Sequence, residues 1–381
     1  MLKVDIITSI EKMEGLREPW NDALSRSASD DVHLTWEWFY TWCDNFAKED
    51  LFIIVVKDEG GKILAIAPFA RKTYRFLGLP VKKTAVLRNC YSPRINLILT
   101  ERIKECVEAI FDRLGAEKWD VIKLEDIISD SKIIKELESL SGKDLFRFYK
   151  GKRIELSPYV TVAGKWEDYY SALSSRFRKN IKYSERKLGN VGKVELLEIK
   201  NSDKLDVYLE KFFQLEASGW KKDAKTAIRC SKKERRFYSE LAHIASRNHW
   251  FSLFFLKVDD KEIAACYSFR YKDVFSGEKQ GYDPDYASYS PGSLLHKRML
   301  EKVFENNFRK YDLLGVYENW KRKWTLSADE IRCVWIYRRN ILGNTLYYIR
   351  VIKDYLRRFH FLRKLKGICL YQGRKVFRYE K

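Results

Sequence analysis

The segment Tyr289-Ser290-Pro291-Gly292-Ser293-Leu294-Leu295 joins a strand-like run, Val274–Tyr282, to an amphipathic helical pattern that continues to about Asn307. Ser-Pro-Gly is a turn that opens a helix directly after a strand. Such an opening leaves the first backbone N–H groups of the helix unpaired and aims the positive end of its dipole outward, which predicts a site for a phosphate or another anion. Upstream, Phe251–Val258 and residues 262–271 read as a hairpin around Asp259-Asp260-Lys261. Downstream, Tyr311-Asp312-Leu313-Leu314-Gly315 reads as a further strand, followed by a basic, aromatic loop to Trp324. The whole is a mixed α/β unit whose turn suits a phosphate-bearing donor.

The same plan occurs earlier in the chain, so the architecture expected is an internal duplication. Leu51–Lys57 and residues 63–71 form a hairpin pattern around Asp58-Glu59-Gly60-Gly61, followed by a helix over 101–114 and a strand over 119–125. Lys118-Trp119-Asp120-Val121-Ile122 and Lys310-Tyr311-Asp312-Leu313-Leu314 occupy the same place in each copy. Helical patterns over Trp36–Phe46 and 205–220 precede the two hairpins. The copies differ at the helix entry. The first has Ile98-Leu99-Thr100-Glu101, where Thr100 can cap but no glycine admits a ligand to the backbone. The first lobe is therefore expected to be scaffold and acceptor wall (1–155), and the second to bind donor and catalyse (156–342). A boundary is placed near 150–158, where Gly151, Ser157 and Pro158 break the pattern. A basic tail (343–381) completes the chain.

Composition narrows the partners. The chain of 381 residues carries a net charge of +20 and is 15% aromatic, so it can bury a core and calls for an acidic partner: nucleic acid, an anionic membrane face, an acidic carrier protein or a phosphorylated donor. Seven scattered cysteines without a CxxC pair read as free thiols in a reducing, cytoplasmic setting, and five histidines without ligand spacing point to no metal. The amino terminus lacks a signal-peptide core, and no apolar run is long enough to span a bilayer. From Arg350 to Lys381 there are eleven Lys/Arg against two acids, with Ile349, Ile352, Leu356, Phe359 and Leu362 at helical spacing. That pattern is either a helix lying on an anionic membrane or a last helix packed on the second lobe with a charged outer face. Over 176–187, Phe177, Ile181 and Leu188 make an apolar stripe beside a basic one of Arg178, Lys182 and Arg186, with Arg176 and Lys179 alongside. No GxxxxGK[ST] or GxGxxG element supports a kinase or a dinucleotide enzyme.

Three segments taken in order carry a family resemblance: Ser175-Arg176-Phe177-Arg178-Lys179-Asn180-Ile181-Lys182; Gly281-Tyr282-Asp283-Pro284 with Tyr289 to Leu295; and Asp312-Leu313-Leu314-Gly315 with Glu318-Asn319-Trp320-Lys321-Arg322-Lys323-Trp324. With Thr35-Trp36-Glu37-Trp38 and Ile66-Ala67-Pro68-Phe69, they resemble the GNAT acyltransferases of the tandem-lobed CelD-like branch, similar in build to the FemAB peptidyltransferases. Val316 and Tyr317 lengthen the connection before Glu318 relative to that pattern.

The resemblance implies transfer of an acyl group from acyl-CoA or an acyl carrier protein to an amine or hydroxyl of a sugar or cell-envelope precursor, by direct attack and without a metal. Ser290, Gly292 and Ser293 would bind donor phosphates, with Arg176, Arg178 and Lys182 contacting phosphates, a carrier or RNA. Glu318 or Asp283 would take the proton, Lys321 and a backbone N–H of the third strand would stabilise the oxyanion, and Tyr282 could protonate the leaving thiolate. The structural alternatives are an ordinary helix start, a solvated lysine run, a Glu318–Lys321 ion pair, a turn opener at Asp283 and a packed aromatic at Tyr282. Two other functions fit the same residues: an aminoacyl-tRNA-dependent peptidyltransferase, and a non-catalytic scaffold on membrane or nucleic acid. The oligomeric state, the acyl group and the acceptor stay open.

Overall fold

A computed structural model describes residues 1–46, 51–87, 96–141, 146–218 and 227–356. Cys90, Cys369 and the tail beyond Leu356, including Phe359 and Leu362, lie outside the described residues. The first half contributes strands β1 (Lys3–Ile7), β2 (Leu51–Lys57), β3 (Ile63–Phe76), β4 (Leu79–Val86), β5 (Ile98–Leu99), β6 (Val121–Ile128) and β7 (Phe146–Thr161). The second contributes β8 (Val194–Ile199), β9 (Phe251–Val258), β10 (Lys261–Tyr271), β11 (Val274–Tyr282), β12 (Lys310–Asp312) and β13 (Ala328–Arg338).

The duplication read from the sequence is present in the pairing. In the first half β1, β2, β3 and β4 are antiparallel neighbours and β4 then pairs parallel with β6. In the second, β8, β9, β10 and β11 repeat the antiparallel order and β11 pairs parallel with β12. Each parallel step is crossed by a helix, Ile103–Gly115 or Pro291–Glu305. The repeat extends to backbone geometry. Arg102 and Ser290, the residues that precede these helices, both sit in the left-handed region, at φ 50° and φ 54°. Thr100 is not the cap the sequence suggested. Its N–H and hydroxyl both donate to Leu64 O, which extends the pairing of β5 with β3.

One sheet runs through both halves because they exchange their last strands. β13 pairs with β6 of the first half, and β7 pairs with β12 of the second through Tyr159–Thr161. β7 and β13 pair with each other along most of their length. The expected break near 150–158 is thus continuous strand shared by the two lobes. Gly151 is not a linker residue there: a Cβ on it would stand 2.7 Å from Cys333 O, at the bulge in β13.

Burial follows the local patterns. β2, β9 and β10 are buried on both faces because helices cover both sides of the sheet. The helix Trp36–Phe46 buries Trp38, Phe39, Trp42 and Cys43, and Trp38 packs edge-on to Phe237 of the helix Lys232–Arg247 at 5.4 Å. First-half and second-half side chains therefore share one core, which includes Trp20, Trp38, Phe212, Phe237 and Tyr267. Each such aromatic contributes roughly 1.5–3 kcal/mol by burial. The helix Leu205–Glu216 ends hard against β11: a Cβ on Gly281 would lie 2.4 Å from Leu215 O and 2.5 Å from Glu216 Cα. Gly281→Ala must push that helix end from the strand, and a loss of roughly 1–3 kcal/mol is expected, measured as a lower denaturation midpoint. An unchanged midpoint would show that the helix end yields freely.

The helix Ile341–Leu356 packs on β7 and β13 through Leu342, Leu346, Tyr347 and Val351. Over the described part of the tail the helix is packed on the sheet, but its outer face is apolar and not the charged face expected.

Candidate active site

The cleft originates where β11 and β12 part. Their parallel ladder holds only Val274↔Lys310, Phe275↔Tyr311 and Ser276↔Asp312. Beyond Ser276 the register of β11 against β10 shifts, and Glu278 is the extra residue of the bulge. Beyond Asp312 the chain swings away through two left-handed residues, Leu314 (φ 51°) and Gly315 (φ 56°). Three bonds hold that unusual turn. The Leu314 N–H donates to Asp312 Oδ1 at 2.9 Å, and the Lys321 ammonium donates to Leu314 O at 2.7 Å and Val316 O at 3.2 Å. The two diverging edges enclose a cleft of about 980 Å³.

Most residues singled out in the sequence meet there. Tyr282, Ser290, Gly292, Ser293, Glu318 and Lys321 all line the cleft. Pro291–Glu305 starts with no side chain bonded to its leading amides; the N–H groups of Ser293 and Leu294 turn back to Ser290 O. Gly292 has room for a side chain, since a Cβ would meet nothing closer than Tyr282 Cδ1 at 3.9 Å, so the missing side chain keeps the cleft open. Lys321 is buried and anchored to carbonyls, not projecting freely. Glu318 is exposed and accepts from Trp320 Nε1.

Others stand apart from the cleft. Asp283 caps the following turn by accepting from the Asp285 N–H at 3.0 Å and pairs with Lys261 at 2.8 Å. Arg176, Arg178 and Lys182 do not line the cleft. They lie on the helix Ser175–Gly189, whose buried stripe of Phe177, Ile181 and Leu188 is the one expected, and Arg178 Nε is tied to Leu173 O. Of the two tryptophans near Lys321, Trp324 is core, edge-on to Phe177, while Trp320 lines the cleft over the His296 ring at 4.7 Å.

The structure adds a buried polar chain that sequence reasoning missed. Glu278 faces the cleft with a side chain only 2% exposed. Its two oxygens accept from Tyr238 Oη at 3.2 Å and from His33 Nε2 at 3.1 Å, while His33 Nδ1 meets Asp31 Oδ1 at 2.5 Å. Burial alone would depress the His33 pKa, but Asp31 and Glu278 together outweigh it and raise it from 6.5 to about 9. His33 is thus an imidazolium joining a first-half element to the cleft edge of the second. His296 has the opposite environment. Burial, and then the Lys321 ammonium, lower its pKa from 6.5 to about 3. The neutral ring bonds Gln280 Oε1 at 2.5 Å and Tyr311 Oη at 2.8 Å. Asp126, a left-handed residue (φ 54°) of β6, brings a first-half carboxylate to the same cleft. The available signal was Gly277-Glu278-Lys279-Gln280-Gly281, a charged run flanked by glycines inside a strand.

Residues 175–322 match the family model described as the acetyltransferase (GNAT) domain. No curated protein matches the chain significantly. Among solved structures, the chain is similar to FemX at TM-score 0.59 and 11% identity, over 91% of this chain and 99% of that one. It is similar at TM-score 0.54 and 10% identity to a conserved protein of unknown function from Bacteroides thetaiotaomicron, over 89% and 100% of the two chains. A third likeness, at TM-score 0.51 and 11% identity over 89% and 96%, is to the C-terminal domain of a putative lysylphosphatidylglycerol synthetase from Agrobacterium fabrum. At such identities the likeness is one of fold. The domain match places a GNAT-type acetyltransferase domain over residues 175–322, where most of the cleft lining lies. The two-lobed mixed α/β fold of the chain is similar to that of FemX, and the matched domain falls in the second lobe.

Proposed function

We propose that the protein moves an acyl group from a phosphate-bearing thioester, acyl-CoA or an acyl carrier protein, to an amine or hydroxyl of a sugar or cell-envelope precursor at the cytoplasmic side. The observation that carries this reading is the uncapped start of the helix Pro291–Glu305, which opens on the cleft between the forked strands. The donor's phosphates sit at Ser290, Gly292 and Ser293, where the Gly292 amide, the serine hydroxyls and the helix dipole favour negative charge. Its amide-bearing arm lies along β11 beyond the ladder, where backbone groups facing the fork offer strand-like hydrogen bonds.

The acceptor's nucleophile attacks the thioester carbonyl directly. Its proton goes to Glu278 in preference to Glu318, because Glu278 is buried, held on both oxygens and fixed in the cleft, whereas Asp283 is committed to Lys261 and its turn. Backbone N–H groups of β11 stabilise the oxyanion. Lys321 supports them by fixing the opposite wall and adding positive charge to the cleft. Collapse breaks the C–S bond, and Tyr282, which lines the cleft, returns a proton to the thiolate.

The test is donor binding. Acetyl-CoA at about a hundred times its Kd should raise unfolding free energy by roughly 2.7 kcal/mol, read as a higher Tm. Gly292→Val places methyl groups where the phosphates sit and is expected to weaken the donor roughly tenfold or more with the apo Tm little changed. Equal donor affinity in the variant, or no Tm shift with CoA or a carrier protein, overturns the assignment.

A second reading, with an aminoacyl-tRNA as donor, is favoured by the exposed basic face of Arg176, Lys179, Lys182 and Arg186 and by the +20 net charge. It expects tRNA binding that falls steeply with salt. Absence of tRNA affinity at low salt removes it.

A further inference from the structure

The helix Ile341–Leu356 is apolar on its outer face as well as on the face packed against the sheet. Its charged groups Arg350 and Asp354 turn toward the protein. The Arg350 guanidinium lies 4.3 Å from the Trp335 ring centroid, and Asp354 accepts from Tyr149 Oη at 2.8 Å. Ile341, Tyr348, Ile349, Ile352, Tyr355 and Leu356 fall on one arc at helical spacing and point away from the sheet; Ile341 is 90% exposed and Ile352 54%. Leu346, Tyr347 and Val351 already serve the sheet-facing side, so this arc is a second apolar face left open to water, and it requires a cover.

We propose that this face seats on an anionic lipid bilayer, with the helix lying in the plane of the headgroups. Charge selects lipid over a second copy of the chain. The exposed cations Arg339 and Lys353 border the arc, and the sequence continues from Leu356 directly into Arg357-Arg358, with nine Lys/Arg and one acid up to Lys381. Two copies, each with a net charge of +20, would bring like charge together at this face, whereas an anionic headgroup layer complements it. Tyr348 and Tyr355 have the apolar body and polar tip that suit the interface. A second element points the same way. The β3–β4 hairpin, whose Phe76 packs in the cluster of Leu346 and Val351, exposes Leu77 and Leu79 at its tip beside the exposed cations Arg75 and Lys82. No helix among the described residues is long and apolar enough to cross a bilayer, and the exposed apolar positions of this one share a single arc, as in a helix lying on the surface.

The inference stands apart from the donor chemistry and is tested on the full chain. Flotation with phosphatidylcholine vesicles containing about one-third phosphatidylglycerol is compared with pure phosphatidylcholine. Binding to the anionic vesicles is expected, with little to the neutral ones. Ile349→Glu combined with Ile352→Glu should cut the bound fraction roughly tenfold or more, with an unchanged Tm and unchanged turnover of a soluble acceptor. Equal flotation of the double variant would mean that charge alone binds, and overturns the role of the apolar face. A dimer in sedimentation equilibrium that the double variant dissociates, with vesicle binding unaffected, would show that a second copy covers the arc, and equally overturns it.

Discussion

Glu278→Gln is expected to lower kcat roughly 10²- to 10⁴-fold while donor affinity stays within a few-fold. The substitution keeps the shape of the side chain and removes its capacity to accept a proton. The other carboxylates in or beside the cleft are placed differently, with Asp126 reaching it from the left-handed position in β6. Asp283 is bound into its turn and to Lys261, Glu216 accepts from the Ile228 N–H at 2.9 Å, and Glu318 is exposed beside Trp320. Single-turnover kinetics with the donor saturating separate the chemical step from binding. Activity of Glu278→Gln within a few-fold of the parent, with Glu318→Gln inactive, would transfer the base to Glu318.

His33→Leu is expected to destabilise the fold by about 3–5 kcal/mol, because it leaves the Glu278 carboxylate buried without its cation. In a Glu278→Gln background the same change should cost much less, and the double-mutant cycle measures the coupling. The pH dependence carries a sign that can be checked separately. His33 has a folded pKa of about 9 against 6.5 when unfolded, so its stabilisation is complete below pH 6.5 and is lost as pH rises through 9. His296, held neutral with a folded pKa of about 3, acts in the other direction: stability declines as pH falls from 6.5 towards 3, where only the unfolded chain takes up the proton. Tm should therefore peak near neutrality. His33→Leu should flatten the alkaline limb, worth on the order of 3 kcal/mol, and leave the acid limb in place. An alkaline limb identical in the variant would show that His33 does not carry it.

Much of the site was legible because its parts are close in sequence. The strand, the Ser290–Ser293 turn and the helix after it follow from residue types over some twenty positions, and the match between Lys118–Ile122 and Lys310–Leu314 exposed the duplication. Lys321 is legible from its place after β12, but its anchoring is not. Its ammonium holds Leu314 O and Val316 O, and only the left-handed turn at Leu314–Gly315 brings those carbonyls to it. Asp283 shows the reverse failure. Its position beside the donor turn is as the sequence implies, yet Lys261, 22 positions earlier across a hairpin, takes its carboxylate.

From its sequence alone this chain declared a duplicated mixed α/β unit, a glycine-opened helix in the second copy and a strongly basic surface, because periodicity, turn chemistry and charge act between near neighbours. Tertiary structure decided the rest: the exchange of β7 and β13 between lobes, the fork that makes the cleft, and the His33–Glu278 bond between residues 245 positions apart. Such pairings depend on which buried groups meet after the sheet has closed. A carboxylate in a strand bulge becomes a catalytic candidate only when folding sets it in the cleft and bonds it to residues far away in the sequence.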